Sequence, residues 1–146
     1  MSEDEVVFEQ INYDICVGKY EDMEVTHLET NGYINITQLC RKYPVLIQKW
    51  EPYNYRNKLD SLTREGYDPI LIFENVSGTY IHPRLALEVI SQMPIENRIK
   101  MLTIMKQQIV FRNTFTYSFK KKVRVDLSGI SRDSMAIENA LKSIKG

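Results

Sequence analysis

Cysteine, histidine and glycine are scarce in this chain, and each scarcity removes a class of chemistry. Cys16 and Cys40 are its two cysteines. Two are too few for a disulfide framework, and a reducing compartment is the natural setting. Together with His27 and His82 they lack zinc-finger spacing, so no metal is expected. The six glycines are scattered, which excludes a phosphate-cradling glycine loop. Carboxylates are plentiful, but none sits in a recognisable nuclease or hydrolase pattern. His82 has no nucleophile or carboxylate beside it in sequence and reads as a cap or packing residue. The expectation is therefore a protein that is not an enzyme and needs no cofactor. A long apolar run is also missing, which argues against a transmembrane helix. The acidic start, Met1 to Glu5, has no apolar segment and argues against a signal peptide. Tandem repeats and low-complexity tracts are absent.

What is present is an ordinary globular composition, 43% hydrophobic and 26% charged, on 146 residues. That length fits one domain with a real core. Net charge is zero but unevenly spread. Up to Thr30, Lys19 is the single base against nine acids: Glu3, Asp4, Glu5, Glu9, Asp14, Glu21, Asp22, Glu24 and Glu29. From Arg98 to Val125 the reverse holds: Arg98, Lys100, Lys106, Arg112, Lys120, Lys121, Lys122 and Arg124 occur with no acid. Such segregation can present an attractive field to a polyanion, or simply make two faces that pair with each other.

Two stretches organise the rest. In the first, Asn31 and Gly32 suit the positive-φ positions of a type I′ turn. Tyr33 and Ile34 are strand formers, and Asn35 can cap a helix. Ile36, Leu39 and Cys40 then fall at i, i+3, i+4, which makes one apolar face. In the second, Gly78, Thr79, Tyr80 and Ile81 repeat the glycine turn and short strand, His82 precedes Pro83 at a first helical position, and an amphipathic helix follows. Trp50 lies between them and reads as a core anchor.

These two motifs, Gly32 to Thr37 and Gly78 to Pro83, with Trp50 between, resemble the KilA-N family of DNA-binding domains of large DNA viruses and phages. That family is in turn similar to the APSES-type DNA-binding domains of fungal transcription factors. Ile36 stands where the family usually has alanine. The resemblance covers residues 23–105. Some poxvirus members carry a zinc-bound RING ubiquitin-ligase module as well; two cysteines cannot build one, so ligase activity is not carried over.

Taken in order, residues 6–17 alternate Ile11, Tyr13, Ile15 and Val17 and predict a strand, with a turn at Gly18 and Lys19. Residues 23–29 predict a second strand. A helix over 36–43 ends before Pro44, and 45–50 form a further helical turn. Residues 54–65 place Tyr55, Leu59 and Leu62 on one stripe and Asn54, Asn57, Lys58, Ser61 and Arg64 on the other. Amide and basic side chains of this kind bond phosphates and base edges. Gly66 caps this helix. Ile70 to Phe73 and Thr79 to Ile81 form a hairpin around residues 74–78. Its Glu74 adds no phosphate-binding base; Asn75 and Ser77 lie near a possible groove. Helices follow over 84–93 and from 95 to about 110, the second with Ile95, Ile99, Leu102 and Ile109 inward. Phe115, Tyr117, Phe119, Val123, Val125 and Leu127 all occupy odd positions and predict a strand or hairpin over 114–127, with Arg112, Lys120, Lys122 and Arg124 on its other face. Ser128 and Gly129 break that pattern before a terminal helix over 134–144.

The expectation is an α+β domain with an N-terminal β-hairpin, a helical core and C-terminal helices. Residues 1–110 would form the domain and 111–146 a basic strand/helix extension packed on it. The resemblance adds a winged helix-turn-helix-like arrangement, with the 54–65 helix toward duplex DNA and the 70–81 hairpin as the wing. The candidate contacts are Arg41, Lys42, Lys49, Asn54, Arg56, Asn57, Lys58, Ser61, Arg64, Lys120, Lys121, Lys122 and Arg124. It also implies a viral, intracellular protein acting in the host cytoplasm or nucleus. Two rivals stand beside DNA binding: a protein–protein adaptor that keeps the fold, and RNA or single-strand binding through the basic tail. The oligomeric state is open, a dimer included.

Overall fold

Six strands form one antiparallel sheet: β1 (Val7–Gln10), β2 (Ile15–Tyr20), β3 (Met23–Leu28), β4 (Ile34–Asn35), β5 (Ile70–Phe73) and β6 (Gly78–Ile81). Their order is β1-β2-β3-β4-β6-β5. The structure is a computed structural model that describes residues 6–11, 14–73, 78–119 and 127–145; side chains are described within these except at 48, 49, 111–119, 127–130 and 145. The helices are α1 (Ile36–Lys42), α2 (Val45–Lys49), α3 (Arg56–Arg64), α4 (Pro83–Ile90), α5 (Ile95–Phe119) and α6 (Leu127–Lys145), with a 3-10 turn at Pro52–Tyr55 ahead of α3. The α+β class expected from the sequence is the class observed.

The two glycine-led motifs are neighbours. Ile34 pairs with Ile81 and Asn35 with Tyr80, which joins β4 to β6. Asn35 Oδ1 accepts from Gln38 N at 2.9 Å and caps α1. Thr37 Oγ1 accepts from Thr79 N at 2.9 Å. The hairpin β5–β6 is therefore not a free ribbon. It continues the sheet, with β5 as its edge.

Several local readings need correction. Residues 6–17 make two strands, and Val7–Gln10 folds back on β2. Gly18 is no turn. It pairs with Phe8 and Val25 inside the sheet. A Cβ there would sit 2.8 Å from Ile104 Cγ2 and 2.9 Å from Phe8 Cε1, so the glycine admits the close approach of α5. The turn falls at Glu21 and Asp22, with Glu21 in the left-handed region at φ 55°. The turn at Asn31 and Gly32 is not type I′ either, since of the two only Gly32 has positive φ, 74°. Asn31 Oδ1 instead accepts from Tyr33 N at 3.0 Å, the local turn that asparagine favours.

The helix expected from residue 54 begins at Arg56; Pro52 and the fixed geometry it imposes tighten the entry into a 3-10 turn. Its end behaves as expected. Gly66, at φ 95°, lets Tyr67 N donate to Leu62 O and Gly66 N to Thr63 O, a Schellman cap. His82 caps α4, its Nδ1 accepting from Arg84 N at 3.0 Å, and Pro83 takes the first helical position.

The strand expected over 114–127 is overturned at both ends, and its middle, 120–126, lies outside the described residues. Residues 114–119 extend α5, and α6 begins at Leu127, through Ser128 and Gly129. Extending an existing helix costs far less than starting a new element, and Phe111, Phe115 and Phe119 fit helical spacing as well as the alternation fitted a strand. Ile95, expected inward, is exposed at the helix start.

The core runs from Met23 and Val25 of the sheet through Ile36, Leu39, Leu46 and Leu62 to Leu85, Val89, Met101 and Leu102. Ile137 and Leu141 join the same cluster, so α6 packs into it. A buried leucine such as Leu62 contributes on the order of 2 kcal/mol. Trp50 is half-buried against this core, stacked on Tyr55 with ring centroids 5.9 Å apart.

Candidate nucleic-acid interface

Helix α3 has two different faces. Leu62 is fully buried, and Tyr55 and Leu59 pack against the core beside it. The remaining positions turn to solvent: Arg56, Asn57, Asp60, Thr63 and Arg64 are exposed and Lys58 and Ser61 half-buried, with Asn54 exposed in the preceding 3-10 turn. The 3.6-residue period of the apolar stripe dictates this division.

At the entry to α3 the structure brings Tyr53, Asn54, Arg56, Asn57 and Lys58 around an open cleft of about 460 Å³, which Glu88 of α4 also lines. Lys58 Nζ lies 3.8 Å from Glu88 Oε1, so its charge is partly compensated. Arg56 extends over the Tyr53 ring, 5.3 Å from the centroid. Tyr55, which also lines the cleft, is the residue stacked on Trp50.

Arg41 and Lys42, exposed in the last turn of α1, line a different depression of about 350 Å³ with Glu24, Thr26 and Gln38. The Thr26 hydroxyl donates to Gln38 Oε1 there. Of the sequence-predicted residues, Asn54, Arg56, Asn57 and Lys58 line one cleft and Arg41 and Lys42 the other, while Ser61 and Arg64 line neither. Lys49 closes α2, but its side chain, like Lys120, Lys121, Lys122 and Arg124, lies outside the described residues. So do Glu74, Asn75 and Ser77 of the hairpin tip.

Part of the segregated charge is spent internally. Lys100 on α5 binds Asp22 at 2.6 Å and Glu21 at 3.5 Å on the acidic β2–β3 turn. The Lys100 hydrogen bond and charge hold the Asp22 carboxyl below its ordinary value. Lys106 pairs with Glu138 at 3.0 Å. By contrast, Arg41, Lys42, Arg56 and Arg64 have no ion pair among the described residues.

Two features escaped sequence reasoning. Tyr53 is one: it lies two residues before Tyr55, off the apolar stripe, and is 71% exposed. A large aromatic between Pro52 and Asn54, outside any periodic pattern, was the available signal. The other is a polar hub at the end of α3. Glu65 accepts from Arg84 Nη1 at 3.0 Å and from Arg132 Nη1, while Asp133 of α6 accepts from Arg84 Nε at 3.1 Å. The Arg84 guanidinium also lies over Tyr67, 5.5 Å from the centroid. Desolvation pushes the Glu65 carboxyl up, but bonds and charge from Arg84 and Arg132 outweigh it and hold it below the usual carboxylate range. Nothing local marks this hub, whose partners are 19 to 67 positions apart.

Among the described residues no three His, Cys, Asp or Glu side chains gather as a metal site would require. No described helix is long and apolar enough to cross a membrane.

The sequence profile of the KilA-N domain matches residues 18–109. The chain belongs to the KilA-N domain family. Curated relatives are viral. The KilA-N domain-containing protein L32 of Acanthamoeba polyphaga mimivirus is 33% identical over 93 residues, which cover 53% of this chain and 24% of L32. Protein L4 of the same virus, also named for a KilA-N domain, is 24% identical over 109 residues, 68% of this chain and 24% of L4. The uncharacterized protein FPV248 of fowlpox virus is 33% identical over 98 residues, 58% of this chain and 65% of FPV248. The chain thus matches about a quarter of each mimivirus relative and just under two thirds of the fowlpox one. No solved structure matches it. The KilA-N match takes in the sheet from β2 onward, α1 to α4 and the first part of α5; β1 and α6 lie beyond it.

Proposed function

We propose that this KilA-N protein binds duplex DNA and catalyses no reaction, with α3 directed toward a groove and the β5–β6 hairpin beside it as a wing. The family is in general a DNA-binding one, which supports the class of partner. The observation that carries the reading to a surface is the outward face of α3. Arg56, Asn57 and Arg64 are exposed on a helix whose other face is locked in the core by Leu62. Amides and guanidiniums displayed on an anchored helix are suited to base edges and phosphates. Arg41 and Lys42 add backbone contacts from the end of α1.

Phosphate contacts release counterions, so the logarithm of the affinity falls linearly with log salt, with a slope of about −0.9 for each phosphate neutralised. Fluorescence anisotropy with labelled duplex across a salt series tests this. A steep slope, with binding weakened by Arg56→Glu and Arg64→Glu, is the expected result. Binding that ignores salt, or ignores both substitutions, overturns it. Lys58→Glu is a weaker probe, because Glu88 already compensates Lys58.

A protein-adaptor reading has its own support in Ile72, 73% exposed on the edge strand β5 beside a partly exposed Phe73. An edge strand presents unpaired backbone groups to a partner. The absence of any nucleic-acid binding at low salt favours it. Binding of RNA or single strands through residues 120–124 is separated from duplex binding by charge reversal at Lys120, Lys121, Lys122 and Arg124 in the full chain, since α6 packs into the core and cannot be removed.

A further inference from the structure

The aromatic at the mouth of the α3 cleft has no structural task. Tyr53 is 71% exposed, and the core cluster does not include it. Most exposed tyrosines stand alone, but this one is oriented. The Arg56 guanidinium lies over one side of its ring at 5.3 Å, a contact that restrains both side chains. The 3-10 turn Pro52–Tyr55 holds its backbone, and Tyr55, two residues on, is pinned by the Trp50 stack. The cleft is lined by the Tyr53 ring together with Asn54, Asn57 and the Lys58–Glu88 pair.

That is an unusual set of groups for a surface that grips only phosphates. Phosphate binding needs cations and N–H donors, and the Glu88 carboxylate opposes it. A nucleobase, by contrast, uses every element. Its flat face stacks on an aromatic ring or a guanidinium plane, and its edge carries both donors and acceptors. Asn54 and Asn57 supply amides of both kinds, Glu88 accepts from exocyclic amino groups, and Lys58 donates. The volume, about 460 Å³, is ample for one base with its water. A paired base in a duplex cannot offer its face, because its neighbours cover it.

We infer that Tyr53 and Arg56 form a stacking platform for an unpaired base. The chain would accordingly prefer DNA with a bulge, frayed end or single-to-double-strand junction over fully paired duplex. This rests on the DNA-binding reading above and names the substrate feature that the same site selects.

The test uses the full chain and three labelled probes: a blunt duplex, the same duplex with one extra unpaired base, and that bulge made abasic. Stacking on an aromatic side chain gives the base-bearing bulge roughly a tenfold advantage over both others. Tyr53→Ala removes that advantage, read as the ratio of bulge to blunt-duplex affinity, while Tyr53→Trp keeps the ratio. With 2-aminopurine as the unpaired base, the wild type quenches its fluorescence on binding and Tyr53→Ala does not. Thermal melts of the variants confirm folding, which an exposed position should preserve. Equal affinity for all three probes, or a bulge preference that survives Tyr53→Ala, overturns the platform while leaving duplex binding intact. If none of the probes binds at low salt, the DNA-binding reading itself fails, and the platform with it.

Discussion

The side chain of Asn35 fills the space that a Cβ on Gly78 would occupy: such an atom would stand 2.6 Å from Asn35 Nδ2 and 2.8 Å from Oδ1. The same Oδ1 caps α1. One glycine therefore makes room for a helix cap 43 positions away in sequence, and the two motifs by which the chain resembles its family are one packed unit.

Gly78→Ala should accordingly disturb the cap as well as the strand. Overpacking of this kind costs about 1–3 kcal/mol. Asn35→Ala alone removes the cap at about 1 kcal/mol. The double substitution should cost clearly less than the sum, because the alanine at 35 vacates the space that the new methyl needs. Urea denaturation of the four proteins measures the coupling. Strict additivity would mean that the backbone shifts to absorb the methyl and that the contact is not limiting.

How much of this was legible follows from the range of each signal. The α3 stripe, the Asn35 and His82 caps and the Gly66 terminator are written within four residues of where they act. Gly18 was misread because a glycine in a strand can mark a turn or a close approach, and only the placement of Ile104 decides between them. The stretch from Phe115 to Phe119 satisfied two periods at once, and continuity with α5 selected the helix. Tyr53 was missed because pattern reasoning looks for residues on a stripe and it lies off one. The Arg84–Asp133 pair, 49 positions apart, leaves no local trace.

That pair yields a second prediction. Asp133 is 3% exposed and the Arg84 side chain 12%, so breaking the pair leaves a largely buried guanidinium nitrogen without its acceptor. Loss of one partner of a buried pair typically costs about 3–5 kcal/mol. Glu65 still holds Arg84 from the other side, which places Asp133→Ala near the lower end, about 3 kcal/mol. Asp133→Asn, which keeps an acceptor oxygen, should cost less. Both are read as shifts in the urea midpoint at constant slope; a change under about 1 kcal/mol for Asp133→Ala would show the pair to be no better than a surface bridge.

Cys16 should be chemically quiet. It is buried in β2, and burial first, then the charges of Glu29 and Asp14, push its thiol up to about 11. Since the thiolate is the reactive form, only about one molecule in a thousand is reactive at pH 8. Iodoacetamide labelling followed by mass spectrometry should modify Cys16 orders of magnitude more slowly in the native protein than in urea. Cys40, half-buried and also raised by burial, should be slow but faster than Cys16. Rapid native labelling of Cys16 would mean that β2 opens readily from its neighbours.

Glu65 gives the pH dependence. Its folded carboxyl lies below the usual value because Arg84 and Arg132 outweigh the desolvation that opposes them. A depressed folded value means that the unfolded chain takes up the proton first. The stabilisation is therefore complete above the unfolded value, about 4.3, and is lost as pH falls through the folded one. Asp22, held down by Lys100, titrates in the same direction, so the wild-type curve alone mixes both groups. The difference between wild type and Glu65→Gln separates them. It should be constant from pH 7 to about 5 and narrow steadily below about 4, while the difference for Asp22→Asn narrows independently. Should the Glu65→Gln gap stay constant down to pH 3, the carboxylate would not be what Arg84 and Arg132 recognise, and the hub would keep only the Arg84–Asp133 link between α4 and α6.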